Sequence, residues 1–153
     1  MTNEQIQEKT FYTRIATIQC AYSVIFMNRE LNIDVLNYFK NQNFLDDDKI
    51  DTKPEINDKL FIYLVNGVVK NKEKLDNIIL EFLKLPIEKN DPLLITIIRT
   101  GVFELLNRDK TPWTIIVSEY TKIARSFFSE NKTAFVNAIL DKIAKSNFSK
   151  VNE

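Results

Sequence analysis

A shortage of turn-forming residues is the feature that most limits what this chain can fold into. Its 153 residues include two glycines and four prolines, which leaves few of the tight turns that antiparallel sheets need. Apolar residues recur instead at spacings of three and four, the period of an amphipathic helix. The pattern predicts an all-α fold of about seven helices that bury their apolar faces against one another.

Most helix bounds follow from this periodicity. The first six helices are predicted at approximately 4–29, 33–43, 54–70, 72–85, 92–108 and 112–127. The last two of these have the clearest starts, because Asp91-Pro92 and Thr111-Pro112 each place a capping oxygen before a proline.

The remaining boundaries depend on weaker signals. Pro54 fits the first turn of the third helix, after an acidic loop at 45–53. Ser129 or Asn131 is expected to cap the last helix, which should end near residue 146. The tail 147–153 is expected to fray.

The composition argues against catalysis. There is no histidine to act as a base or metal ligand, and two glycines cannot build a phosphate-binding loop. The run Asp46-Asp47-Asp48 fits a solvated loop better than a metal site. We therefore expect no enzyme activity, no metal and no cofactor.

The expected compartment is the cytoplasm. The N-terminus lacks the basic and apolar regions of a secretory signal, and no apolar run is long enough to span a membrane. A single cysteine, Cys20, excludes an internal disulfide and fits a small core residue better than a reactive thiol.

Charge is balanced overall but unevenly distributed. Residues 110–150 hold seven basic and three acidic residues, whereas residues 42–60 hold six acidic residues and three lysines. The basic segment is consistent either with an electrostatic role or with an ordinary solvated surface.

Several polar residues lie within apolar helices. Glu104 is expected to pair with Arg108 one turn on, and Arg99 to reach carbonyls at a helix end. Gly101 in mid-helix suggests a close helix crossing. Asn137 and Asp141 are expected to hold a neighbouring loop through hydrogen bonds.

Three aromatic residues have two interpretations each. Tyr22 and Phe135 lie on apolar stripes and suit core packing, but each also fits base stacking in an RNA-binding protein. Trp113 follows a helix-starting proline and fits a buried lid better than a contact residue.

The order and spacing of these helices and residues resemble the NusB family, most strongly between Asp91 and Lys145. Within the family, the alphaproteobacterial members are the most similar. The family-like features there are Arg99-x-Gly101, Phe103 to Leu106, Asp109 with Pro112, Glu119-Tyr120, Phe127-Phe128 and Phe135 to Lys142. The stretch Ile18 to Ser23 is also similar to the family pattern. Residues 30–90 match in helix pattern alone.

The resemblance implies one RNA-binding domain over 1–153, built from two helical bundles at about 4–71 and 72–146. It implies a transcription antitermination factor that binds single-stranded boxA RNA together with NusE, the free form of a small-subunit ribosomal protein. The partners would include the RNA polymerase antitermination complex of ribosomal RNA operons, and no membrane. Some family members form homodimers.

The resemblance and the chemistry of unpaired RNA together indicate candidate contacts. The start of the first helix and the last two helices are expected to form one continuous RNA surface. Its expected RNA contacts are Lys9, Arg14, Gln19, Asn131, Lys132 and Phe135. Tyr22 and Leu94 are the expected contacts with NusE.

Some positions depart from the family pattern. Family members often begin the first helix with several arginines, whereas the matching stretch here has only Lys9 and Arg14, and Ser118 replaces a frequent asparagine. One alternative is therefore a helical adaptor that binds protein but not RNA. Another is a NusB-like domain of a ribosomal RNA cytosine methyltransferase without its catalytic part.

Overall fold

The computed structural model describes residues 1–41, 54–108 and 110–148. Residue 148 is described by its backbone alone. Within these ranges the chain is helical and contains no strand, which confirms the predicted all-α class. The helices are α1 (Asn3–Phe26), α2 (Ile33–Lys40), α3 (Asp58–Lys70), α4 (Lys72–Leu80), a 3₁₀ turn (Ile87–Lys89), α5 (Pro92–Asn107), α6 (Trp113–Phe127) and α7 (Glu130–Phe148). The predicted acidic loop, Asp109 and most of the tail lie outside the described residues.

Local capping explains where α1 ends and α3 begins. Asn28 has a φ of 54°, a left-handed conformation typical just after a helix, so α1 ends at Phe26 and not near 29. The prediction that Pro54 opens α3 was wrong. The side chain of Asn57 accepts the Leu60 N–H at 3.1 Å, and α3 therefore begins at Asp58.

The two proline-marked starts differ. Asp91 Oδ1 accepts the N–H groups of Leu93 and Leu94, and α5 begins at Pro92 as predicted. The prediction that Thr111 caps α6 was wrong, because Pro112 itself occupies the cap position and no side chain caps the helix. An unpaired N–H is tolerated where helix ends meet water.

The last helix begins directly after Ser129 and continues beyond its predicted end. The Ser129 carbonyl accepts both the N–H and the hydroxyl of Thr133, each at 2.9 Å. Asn131 therefore lies inside α7, and the helix continues to Phe148 and not to about 146.

The chain divides into two compact units, Met1–Val69 and Lys70–Glu153. In the first unit, α1 packs against α2, and a buried cluster joins α1, α2 and α3. This cluster consists of Ala16, Cys20, Phe39, Phe61 and Val65. Burial raises the pKa of the Cys20 thiol from 9.0 to about 12, so Cys20 is a core residue and not a reactive thiol.

In the second unit, α5 is the central helix and packs against α4, α6 and α7. Every residue from Leu94 to Leu105 is buried, as expected for a helix covered on all sides. Gly101 marks the close crossing predicted from the sequence: a Cβ there would lie 3.0 Å from Leu140 and 3.3 Å from Tyr120.

Buried charges in the second unit are paired. Glu104 pairs with Arg108 at 2.6 Å, as predicted. Arg99 pairs with a carboxylate on α4, a partner that the sequence did not indicate. Its Nε lies 2.6 Å from Asp76 Oδ1 and its Nη2 lies 3.1 Å from Oδ2, a two-pronged ion pair between α5 and α4.

Candidate functional site

Three of the predicted contact residues on α1 are partly exposed, namely Lys9, Gln19 and Tyr22. Lys9 Nζ lies 4.0 Å from Glu55, whose side chain is 77% exposed, so this ion pair is weak and open to competition. The Tyr22 ring lies 5.4 Å from the ring of Phe26, which is itself exposed. Together these two rings offer an aromatic edge at the end of α1.

Arg14 is not on the surface. The prediction that it contacts phosphate needs an exposed guanidinium, but the residue is only 3% exposed. Residues 13–18 are all buried, so this stretch of α1 is covered around its whole circumference. Within it, the Thr13 hydroxyl donates to the Lys9 carbonyl and accepts the Asn57 N–H at 2.9 Å. This stretch therefore acts in packing.

Leu94 is also buried, at 5% exposure, on α5. The prediction that it contacts NusE was based on its position five residues before Arg99. Because α5 is the covered central helix, its apolar side chains stabilise the second unit and do not present a surface.

The start of α7 brings three predicted residues together. Asn131 and Lys132 are exposed and Phe135 is half-buried. Asn131 and Phe135 are one turn apart and share a face of the helix. An amide, an ammonium and an aromatic ring are thus available within one turn and a half of helix.

Lys132 has two partners that sequence reasoning missed. Its Nζ lies 3.6 Å from Asp91 Oδ2 and 5.0 Å from the centre of the Phe128 ring. Asp91 was recognised as a helix cap, but its pairing with a lysine on another helix has no periodic signature. The adjacent Phe127 and Phe128 could have indicated from the sequence that an aromatic ring is accessible here, since two neighbouring aromatic residues at a helix end seldom both enter the core.

Asn137 contacts a helix and not a loop, contrary to the sequence expectation. Its Oδ1 accepts the hydroxyl of Thr121 on α6 at 3.1 Å, while Asp141 pairs with Lys145 at 2.9 Å within α7. These polar residues therefore lie along the junction of α6 and α7.

The exposed side chains of the site are suited to binding. In the part of the chain that the structure describes, histidine, cysteine and acidic residues form no group able to hold a metal ion. Within the same residues, no helix has the length and apolarity needed to cross a membrane. Exposed cations beside partly exposed rings can instead bind an anionic, unstacked polymer. The fold and the site thus define an all-helical protein with exposed cationic and aromatic side chains.

Comparison with known proteins gives the family. The NusB family model matches residues 12–145. The transcription antitermination protein NusB of Rickettsia massiliae (strain Mtu5) is 34% identical, with 95% of this chain and 96% of that protein covered. The corresponding protein of Rickettsia bellii (strain OSU 85-389) is 35% identical, with 96% of each chain covered. The chain belongs to the NusB family.

Solved structures agree with this assignment. T. maritima NusB matches with a TM-score of 0.71 and 25% identity, over 88% of this chain and 89% of that chain. NusB proteins are non-enzymatic transcription antitermination factors, and family membership therefore confirms the prediction that the chain is not an enzyme.

Proposed function

We propose that the protein is a transcription antitermination factor that binds boxA-type single-stranded RNA together with NusE, within the RNA polymerase complex that transcribes ribosomal RNA operons. The observation that carries the proposal is the family match over residues 12–145, combined with the exposed group at the start of α7. This group has the chemistry that unpaired RNA requires.

Each residue at the start of α7 supplies a different contact. The half-buried Phe135 ring offers a face to an unstacked base, and the exposed Asn131 amide can hydrogen-bond a base edge or a sugar hydroxyl. Lys132 contributes the attraction to phosphate. In the free protein Asp91 holds this lysine, so we infer that a phosphate replaces the Asp91 carboxylate when RNA binds.

The contribution of α1 to RNA binding is smaller in this proposal. Lys9 and Gln19 remain partly exposed and are its RNA contacts, whereas the buried Arg14 supports the helix. With few phosphate contacts, the affinity should depend only moderately on salt concentration.

Partner binding is assigned to the end of α1. Tyr22 and Phe26 form an aromatic pair there, followed by Met27, which is 59% exposed. Large apolar side chains that remain in water are typical anchors of a protein interface, and this edge is the proposed contact with NusE.

A titration of labelled boxA RNA tests the proposal. Fluorescence anisotropy would be recorded with the full chain, with and without NusE of the same organism, at low and physiological salt. We expect binding that NusE strengthens and that salt weakens moderately. Absence of RNA binding under every condition, with NusE still bound, would contradict the RNA part.

That outcome would favour the second candidate function, a helical adaptor that binds protein alone. The burial of Arg14 is the specific observation in its favour, because it leaves Lys9 as the remaining predicted phosphate contact on α1. The two functions differ in the RNA titration and agree in NusE binding.

A further inference from the structure

A groove lies between α6 and α7, and its lining includes none of the residues assigned above to boxA. Its volume is about 390 Å³, within the range of sites that hold a small molecule or one nucleotide. The lining residues that matter here are Trp113, Thr114, Ser118, Lys122, Arg125 and Asn137.

The walls of this α6–α7 groove are rich in hydrogen-bond donors. The side chains of Trp113, Thr114 and Ser118 have no hydrogen-bond partner among the residues that the structure describes. The Thr121 hydroxyl lies 2.8 Å from the Val117 carbonyl and 3.1 Å from Asn137 Oδ1, and its single proton serves one of them at a time. The exposed Asn137 amide also lines the groove. A ligand with many acceptors matches these walls.

Positive charge adds to this preference. Lys122 and Arg125 line the groove from α6. Arg125 Nε lies 3.9 Å from Glu130, but both side chains are more than half exposed, so the pair holds the guanidinium only weakly. The carboxylate in the lining, Asp141, is neutralised by Lys145 at 2.9 Å.

We propose that the α6–α7 groove binds one nucleotide of single-stranded RNA that flanks the boxA element. The base would stack on the half-buried Trp113 indole, and the phosphates would contact Lys122 and Arg125. An acidic peptide fits less well, because its backbone carries as many N–H donors as acceptors, whereas phosphates and base carbonyls are acceptors.

Helix geometry supports a path between the two sites. Around the circumference of α7, Phe135 is followed by Lys142, then Lys145, and then Asn137 at the groove. Both lysines are exposed. Lys142 offers a cation to a strand leaving the start of α7, whereas Lys145 is paired with Asp141, which lies between Lys145 and Asn137 around the helix.

The test uses the only tryptophan of the chain, Trp113, whose fluorescence reports on the groove. The full-length protein would be titrated with two RNAs, the boxA element alone and the same element with flanking nucleotides. Anisotropy of the labelled RNA gives affinity, and Trp113 emission gives groove occupancy. We expect both RNAs to bind, but only the longer one to quench Trp113 and to bind roughly tenfold more tightly, as stacking of one base implies.

Variants distinguish binding in the α6–α7 groove from a general effect of surface charge. Arg125→Glu and Trp113→Ala should each remove the extra affinity for the longer RNA and leave the shorter RNA unaffected, whereas Trp113→Phe should retain most of it. Lys74→Glu makes the same charge change at an exposed position of α4 and serves as control. Circular dichroism checks that each variant is folded.

The inference depends on the proposed function, and the outcomes distinguish the two. Failure of both RNAs to bind would overturn both proposals. Equal affinity for the two RNAs with unchanged Trp113 emission would overturn only the groove assignment. Quenching by a free mononucleotide at the same concentration, or by an acidic peptide but not by the longer RNA, would also overturn it.

Discussion

The phenol hydroxyl of Tyr120 donates a hydrogen bond to Glu104, a carboxylate with no exposed surface. The other oxygen of Glu104 accepts a bond from Arg108 Nη1 at 2.6 Å. The buried carboxylate is thus shared between the end of α5 and the middle of α6. A buried charge is tolerated when its oxygens are occupied in this way.

Replacing Tyr120 with phenylalanine should destabilise the protein by about 1–3 kcal/mol, because the buried Glu104 carboxylate loses one hydrogen-bond donor. Urea unfolding followed by circular dichroism measures the change. Tyr38→Phe is the matched control, since Tyr38 is 55% exposed and should change stability by less than about 0.5 kcal/mol. Equal stability of the two variants would show that the Tyr120 bond contributes little.

Asp91→Asn should leave stability nearly unchanged and strengthen RNA binding. Asparagine caps a helix about as well as aspartate, but it no longer holds Lys132 by charge. Release of a surface ion pair worth about 0.2–1 kcal/mol predicts up to about fivefold tighter binding. The boxA anisotropy titration provides the measurement. Weaker binding by the folded variant would mean that Asp91 assists Lys132 and does not compete with RNA.

Phe135→Ala should weaken RNA binding by about 1–3 kcal/mol if the ring stacks on a base. Affinity per folded molecule is the required quantity, because a half-buried ring also contributes to packing. Phe127, which is 40% exposed at the end of α6, provides a control: Phe127→Ala should leave RNA affinity unchanged. A loss of stability alone in the Phe135 variant would assign its ring to the core.

Cys20 should react slowly with alkylating reagents in the native protein and rapidly in urea, because burial disfavours the thiolate. Its pKa is raised on folding, so the unfolded chain loses the proton first as pH increases. The stability contribution of Cys20 is therefore complete below pH 9.0 and is lost as pH rises towards about 12. Comparison of native protein and Cys20→Ala over this range isolates the effect from other groups.

Boundaries were predictable where the signal was local. Asp91 caps α5 through N–H groups two and three residues away, so a short stretch of sequence is enough to predict this helix start. At α3, Pro54 was the predicted start, but the helix begins after Asn57, three residues further on. The side chain that formed the hydrogen bond determined the outcome.

The candidate site was less predictable, because exposure depends on what the rest of the chain covers. Arg14 was expected at the surface because of its charge, yet it lies in a segment of α1 whose residues are all buried. The Lys132–Asp91 pair joins residues 41 positions apart, a separation that no helical period encodes. Residue type predicted which groups suit RNA, and packing decided which of them reach it.

Close packing at Gly101 couples the motions of α5, α6 and α7. At Gly101 a Cβ atom would lie 3.0 Å from Leu140 of α7 and 3.3 Å from Tyr120 of α6, so the backbone of α5 packs closely against both helices. A helix seated this closely cannot separate from one neighbour without disturbing the other. Native-state hydrogen exchange should therefore find the central amides of α5, α6 and α7 opening together, at one shared free energy, as a single cooperative unit.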